Sequence, residues 1–155
     1  MTRGIRIDGR SCIRGVILGL LFLGLSGPAI GQQPAYLLFG GQNHDVFLGC
    51  LNCNRFDQAS LCNGFGRFGN PFSGESIWNR YTRFGNPFSA DSPWNGFAAE
   101  PPVVVDRQGR FYGYFTANQF HVQRVRSSFW LRVIGLASSN GAEGHEEARK
   151  MLCGS

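Results

Sequence analysis

The sequence predicts a mainly β, β-rich α+β fold: two β-hairpins forming one antiparallel sheet, three short 16-residue turn-and-aromatic repeats between them, and a short C-terminal helix. Three observations carry this expectation. Two segments alternate short apolar runs with Gly, Asn and Asp turns. The stretch between those segments aligns on itself at an offset of 16. Apolar residues near the C-terminus recur with helical spacing.

The chain begins with a segment expected to leave before folding. Arg3, Arg6, Arg10 and Arg14 make a basic start, followed by the uncharged run VILGLLFLGL over Val16–Leu25. That run is shorter than the roughly 20 apolar residues of a membrane-spanning helix. Ala29 and Gly31 then supply the small residues of a cleavage site. Residues 1–31 are therefore expected to be an export signal, with the mature chain starting at Gln32 and membrane contact confined to the uncleaved signal. The signal holds four of the 15 Lys and Arg and one of the 10 Asp and Glu, so the mature part keeps 11 and 9, a net +2. Clustered Lys and Arg of the kind that nucleic acid requires are missing from that part, so nucleic-acid binding is not expected. The 124 remaining residues suit one small domain, divided into a β-rich repeat region over 32–126 and a short helix with a mobile tail over 127–155. They contain no N-x-S/T sequon.

The first hairpin is predicted from Tyr36–Phe39 and Val46–Leu48, which flank a Gly-Gly-Gln-Asn-His-Asp turn. The second runs from Pro101 to Asn118: Val103–Val105 make a β-branched strand, Asp106–Gly109 a turn, and Arg110–Thr116 the return. Phe47-Leu48-Gly49 and Phe111-Tyr112-Gly113 share a pattern, so the two hairpins are expected to pack in one sheet.

Between them, RFGNPFSGESIWN (67–79) matches RFGNPFSADSPWN (83–95) at ten of thirteen positions, and 51–66 is a weaker copy. The matched sets are Asn54/Asn70/Asn86, Phe56/Phe72/Phe88, Ser60/Ser76/Ser92, Cys62/Trp78/Trp94, Asn63/Asn79/Asn95 and Phe65/Tyr81/Phe97. Gly-Asn-Pro is turn chemistry, since Gly and Asn tolerate positive φ and Pro presets the next torsion. Each copy reads as a turn, an aromatic anchor and a short extended or 3₁₀ piece. Units this small must stack on neighbours or on the sheet to bury their rings.

Towards the C-terminus, Trp130, Val133, Ile134 and Ala137 fit i, i+3, i+4, i+7 spacing, which predicts a short helix over 127–137, weakened by Gly135. Beyond Ser138 the chain is small and polar, and HEEARKMLC is expected to form one or two frayed turns.

Cys50, Cys53, Cys62 and Cys153 lie beyond the signal. In an oxidising compartment all four are disulfide candidates, with three possible pairings. Cys62 stands where the other copies carry Trp78 and Trp94, so a covalent anchor has replaced an aromatic one. Pairing within that copy, to Cys53 or Cys50, is expected.

The run FLGCLNCNRF, the endings S-I-W-N and S-P-W-N, and the closing PPVVVDRQGRFYGYFTANQ resemble a family of bacterial exported proteins. In that family a G-C-L-x-C-N start leads into Y-G-x-Y-S-x-x-S-x-W-N units and a final P-P-x-I-V-D-x-x-G-x-F-Y-G hairpin. The likeness covers roughly residues 36–120. It implies a periplasmic or secreted location and a fold, and no established activity. This chain has Phe-Gly-Asn-Pro-Phe where the family has Tyr-Gly-Ser-x-Tyr, which makes its units more apolar.

Several chemistries compete. Cys50-x-x-Cys53 suits a thiol-redox pair, but it follows a hairpin strand rather than opening a helix, which favours a structural disulfide. His44, Cys50, Cys53 and Cys62 make a zinc set of unusual spacing. Ser73, Ser76, Ser89 and Ser92 recur in register, as turn residues do. No local signature supports a triad of these with His44 or His121 and Asp45, Asp57 or Asp106. Glu75 and Asp91 hold equivalent repeat positions and do not read as a glycosidase pair. Repeated Trp beside Asn suits sugar stacking, so Trp78, Asn79, Trp94 and Asn95 form a candidate glycan platform, against the simpler expectation that the indoles are core. The overall expectation is a non-enzymatic structural or interaction module without cofactor, meeting a cell-envelope glycan or protein.

Overall fold

The computed structural model describes residues 33–154, so the expected export signal and its cleavage before Gln32 lie outside the described residues. Strands β1 (Leu37–Gly40) and β2 (Val46–Cys50) form the first hairpin, and β3 (Val103–Val105) and β4 (Phe111–Tyr114) the second. The sheet order is β2-β1-β3-β4 with every pair antiparallel, so the hairpins join through β1 and β3. Leu38 opposes Val104 at that junction, and both are fully buried.

The shared Phe-x-Gly pattern turns out to be a matched pair of β-bulges. In β2 the register passes from Leu38↔Gly49 to Phe39↔Phe47, leaving Leu48 unpaired; in β4 it passes from Val104↔Gly113 to Val105↔Phe111, leaving Tyr112 unpaired. Gly49 and Gly113 take φ of 122° and 120°, a backbone state that L side chains rarely adopt. Each outer strand then gains a parallel bridge ten residues on, Cys50 to Ser60 and Tyr114 to Arg124.

From Asn54 to Ala98 the chain contains neither the extended strand nor the 3₁₀ pieces expected of the Ser-x-x-Trp-Asn segments. It is a run of consecutive turns. Backbone N–H groups at Asp57, Ser60, Asn63 and Gly66, then Asn70, Ser73, Ser76, Asn79 and Thr82, each reach a carbonyl three or four residues back. Asn and Ser side chains cap the same turns by accepting from the N–H two residues on, which competes with regular structure. The glycines of the RFGN segments serve space rather than positive φ. A Cβ at Gly69 or Gly85 would run into the backbone carbonyl of Asn63 or Asn79.

Helix α1 spans Ser128–Ser139, capped by the Ser127 hydroxyl accepting from the Trp130 N–H. Where frayed turns and a mobile tail were expected, the chain forms a second helix, α2 (Gly141–Cys153). Gly144 lets α2 approach the Leu136 carbonyl of α1 with no room for a side chain. Leu61, Ile77, Trp78 and Trp94 from the turns, Leu38, Leu48 and Val104 from the sheet, and Val133, Ile134, Ala137 and Ala148 from the helices join in one core.

Candidate functional site

The cysteines form two cross-links, Cys50–Cys53 and Cys62–Cys153, with Cα separations of 5.5 and 5.4 Å. This corrects the expected pairing of Cys62 within its own unit. Its partner is the last residue of α2, 91 positions away. The zinc set is also corrected. Cys62 is bound away from Cys50 and Cys53, and His44 places Nε2 3.1 Å from the Pro101 carbonyl with its ring edge against Tyr114. Among the described residues no group of three His, Cys, Asp or Glu is placed to hold a metal ion. Two cross-links in so small a chain are compatible with an oxidising environment.

Trp78 and Trp94 are 3 % and 1 % exposed, so they offer no platform to a sugar ring. Their indoles stack 5.4 Å apart, and each N–H donates to the residue 17 before it: Trp78 to the Leu61 carbonyl at 2.9 Å and Trp94 to that of Ile77 at 2.7 Å. Asn79 and Asn95 are likewise used internally. Their amides donate to Ser73 and Ser89 carbonyls, and their side-chain carbonyls accept from the N–H groups of Tyr81 and Phe97. The candidate glycan platform at these four residues is therefore structural, and the indoles are core, as the simpler expectation had it. Ser76 and Ser92 accept from the N–H groups of Trp78 and Trp94, as turn residues. Glu75 and Asp91 pair with Arg67 and Arg83.

The rings that do face solvent occupy further aromatic positions of the repeated sequence, whereas Phe68 and Phe84 pack in or against the core. Phe56, Phe65, Phe72, Tyr81, Phe88 and Phe97 are each at least 81 % exposed. Every one follows an Asn by two residues and donates its N–H to that Asn side chain. Phe120, 87 % exposed, repeats the arrangement on Asn118. Sequence reading missed this residue. An alignment of 47–56 with 111–120, which shares Phe, Gly, Asn and Phe, carries the signal.

The catalytic candidates stay apart. Among the described residues no hydrogen bond joins His44 or His121 to Asp45, Asp57 or Asp106, and Asp57 caps its own turn through the Ala59 N–H. Burial works to raise the Asp106 carboxyl, but bonds from the Arg110 N–H, the Tyr112 hydroxyl and the Gln108 N–H, with the Arg110 charge, hold it below the ordinary carboxylate value. It ties the second hairpin together. The Tyr112 hydroxyl is raised in turn, by its own burial and by Asp106.

Open cavities mark the surface of the described residues. A cleft of about 490 Å³ lies among Tyr36, Tyr112, Phe129 and Trp130, with Asn52 and Arg126 beside them. Tyr36 meets Tyr112 and Trp130 edge-on, both at 4.9 Å. Asn52 is committed to the chain itself, accepting from the Tyr36 N–H and donating to the Pro34 carbonyl. A wider groove of about 700 Å³ runs between residues 80–97 and the α1–α2 junction. No protein-family profile, curated protein or solved structure matches the chain.

Proposed function

We propose that this chain is an exported, non-enzymatic interaction module of the bacterial periplasm or exterior, released by cleavage before Gln32. Three 16-residue units form its scaffold, and the rings that they turn outward engage a partner. The observation that carries this reading is the exposure of the six rings at two equivalent positions of every unit. Extensive exposed apolar surface is costly in a lone soluble protein and marks interaction sites. At about 150–250 Å² per ring, six of them offer roughly 1,000 Å², comparable with the ~800 Å² that each partner buries in a standard interface. Two cross-links and the buried indole stack support a rigid frame beneath.

The test is retention. Expressed with its signal in an exporting bacterium, the chain should partition with the cell envelope, and the triple variant Phe72→Ser, Tyr81→Ser, Phe88→Ser should be released. Each exchange should change stability by no more than about 0.5 kcal/mol, as expected of exposed positions. Equal partitioning of both proteins, with matching melting temperatures, would sink the reading.

A further inference from the structure

The 16-residue units are not uniform. At the position equivalent to Gly64 and Gly96, the second unit carries Arg80. Two glycines in register with it show that the turn does not need this side chain. Arg80 makes no ion pair among the described residues, and its Nε is buried without a hydrogen-bond partner. This contrasts with Arg67 and Arg83, which recur in register and are both satisfied by carboxylates of their own units. The Nε is closed to solvent, but Arg80 as a whole is half-buried, and its guanidinium donates no hydrogen bond among the described residues, so its terminal N–H groups are left to find an acceptor outside the chain.

Arg80 lines the wider groove, and Phe88 and Phe97 stand beside it with their rings almost fully exposed. Trp94 also lines the groove, and its indole meets the His145 ring edge-on at 5.3 Å. The His145 Nε2 is also buried without a partner. The polar groups of the groove are mostly spent. Asn95 is engaged on both sides of its amide, Trp94 donates to Ile77, and Ser138 and Ser139 donate back into α1. A sugar, with hydroxyls all round, would find few free donors and acceptors here. A ligand with one carboxylate and apolar flanks would find what it needs.

We propose that this groove binds a peptide segment of a partner protein in which an Asp or Glu lies beside an aromatic or aliphatic residue. The carboxylate pairs with Arg80, and the apolar neighbours pack on Phe88, Phe97 and Pro87. This inference rests on the interaction-module reading and gives it a ligand class.

The experiment selects random displayed heptapeptides on the full oxidised chain, then synthesises the most enriched one. Enrichment of an acid next to an aromatic or aliphatic residue is expected. Arg80→Gln and Phe88→Ser should each weaken the synthetic peptide at least tenfold. Replacing the peptide's acid by its amide should weaken it equally on the unaltered protein, and that exchange should add little on Arg80→Gln. The amide exchange reads the same ion pair even where an Arg80 variant fails to fold. No enrichment, peptides without an acid, or affinity indifferent to the amide exchange would each overturn the proposal. Peptides lost with Phe88→Ser but indifferent to Arg80→Gln and to the amide would overturn it while leaving the aromatic interaction surface in place.

Discussion

Trp94 is the side chain on which most of the interior converges. Its indole stacks on Trp78, meets Phe115 and His145 edge-on, and donates to the Ile77 carbonyl. Trp94→Phe keeps most of the ring but strands that carbonyl in the core, at a cost of about 1–3 kcal/mol. Trp94→Ala adds a cavity and should cost about 3–5 kcal/mol. Urea denaturation checks both, and a Phe variant as stable as the parent would show that the indole N–H contributes nothing. The sequence favoured this ring as core, but that Phe72 and Tyr81 are surface was not legible in it, for a physical reason. All three occupy the third position of a turn, with the N–H held by the side chain two residues before, Ser92, Asn70 or Asn79. Helices and strands sort inside from outside by periods of 3.6 and 2. A chain of three-residue turn steps has neither period, so the pattern identifies the anchors without saying which way they point.

Among the elements, α1 was legible because it obeys the helical period, and both hairpins because short apolar runs flank turn residues. Trp130, Val133, Ile134 and Ala137 have the spacing of one helix face, and the last three are buried. Helix α2 carries a thinner stripe, with only Ala148, Met151 and Leu152 as apolar residues against the core. The residues that it buries are Gly144, His145 and Ala148, small or polar, which give little reason to expect a helix from composition. It is held by close approach to α1 at Gly144 and by Cys153 reaching Cys62. The pairing escaped sequence reasoning because it joins residues 91 apart, and three pairings were open. The double variant Cys62→Ser, Cys153→Ser should lose about 2–4 kcal/mol of stability, since it frees a long loop in the unfolded chain. Hydrogen exchange should show the loss locally. Amides of α2 should lose protection first, while those of β1 and β3, whose pairing does not depend on the cross-link, keep theirs. Uniform protection across α2 in the variant would mean that packing alone holds the helix.

At the scale of the whole molecule, sheet, turns and helices depend on one another through the core, and a buried titratable group lies within it. His145 of α2 is 5 % exposed, set edge-on against Trp94 and held through Nδ1 near the Gly141 carbonyl. Burial lowers its pKa below the ordinary 6.5; the Gly141 carbonyl opposes that, and the Arg80 charge adds to it. The folded state therefore resists protonation that the unfolded chain accepts. Well above pH 6.5 both states are neutral at this position and stability is unaffected. As the pH falls below 6.5 the unfolded chain takes up the proton first, and stability declines until the folded pKa is passed. One proton limits the slope to about 1.4 kcal/mol per pH unit. Asp106, whose pKa is lowered instead, adds a second loss below the ordinary carboxylate value of 3.8. Denaturation midpoints taken from pH 8 to pH 3 should show two separate declines. His145→Gln should flatten the upper one and leave the lower intact, and Asp106→Asn should do the reverse. A His145→Gln variant with the parent's slope between pH 7 and pH 5 would place the proton elsewhere and remove His145 as the acid-sensitive point where α2 meets the turns.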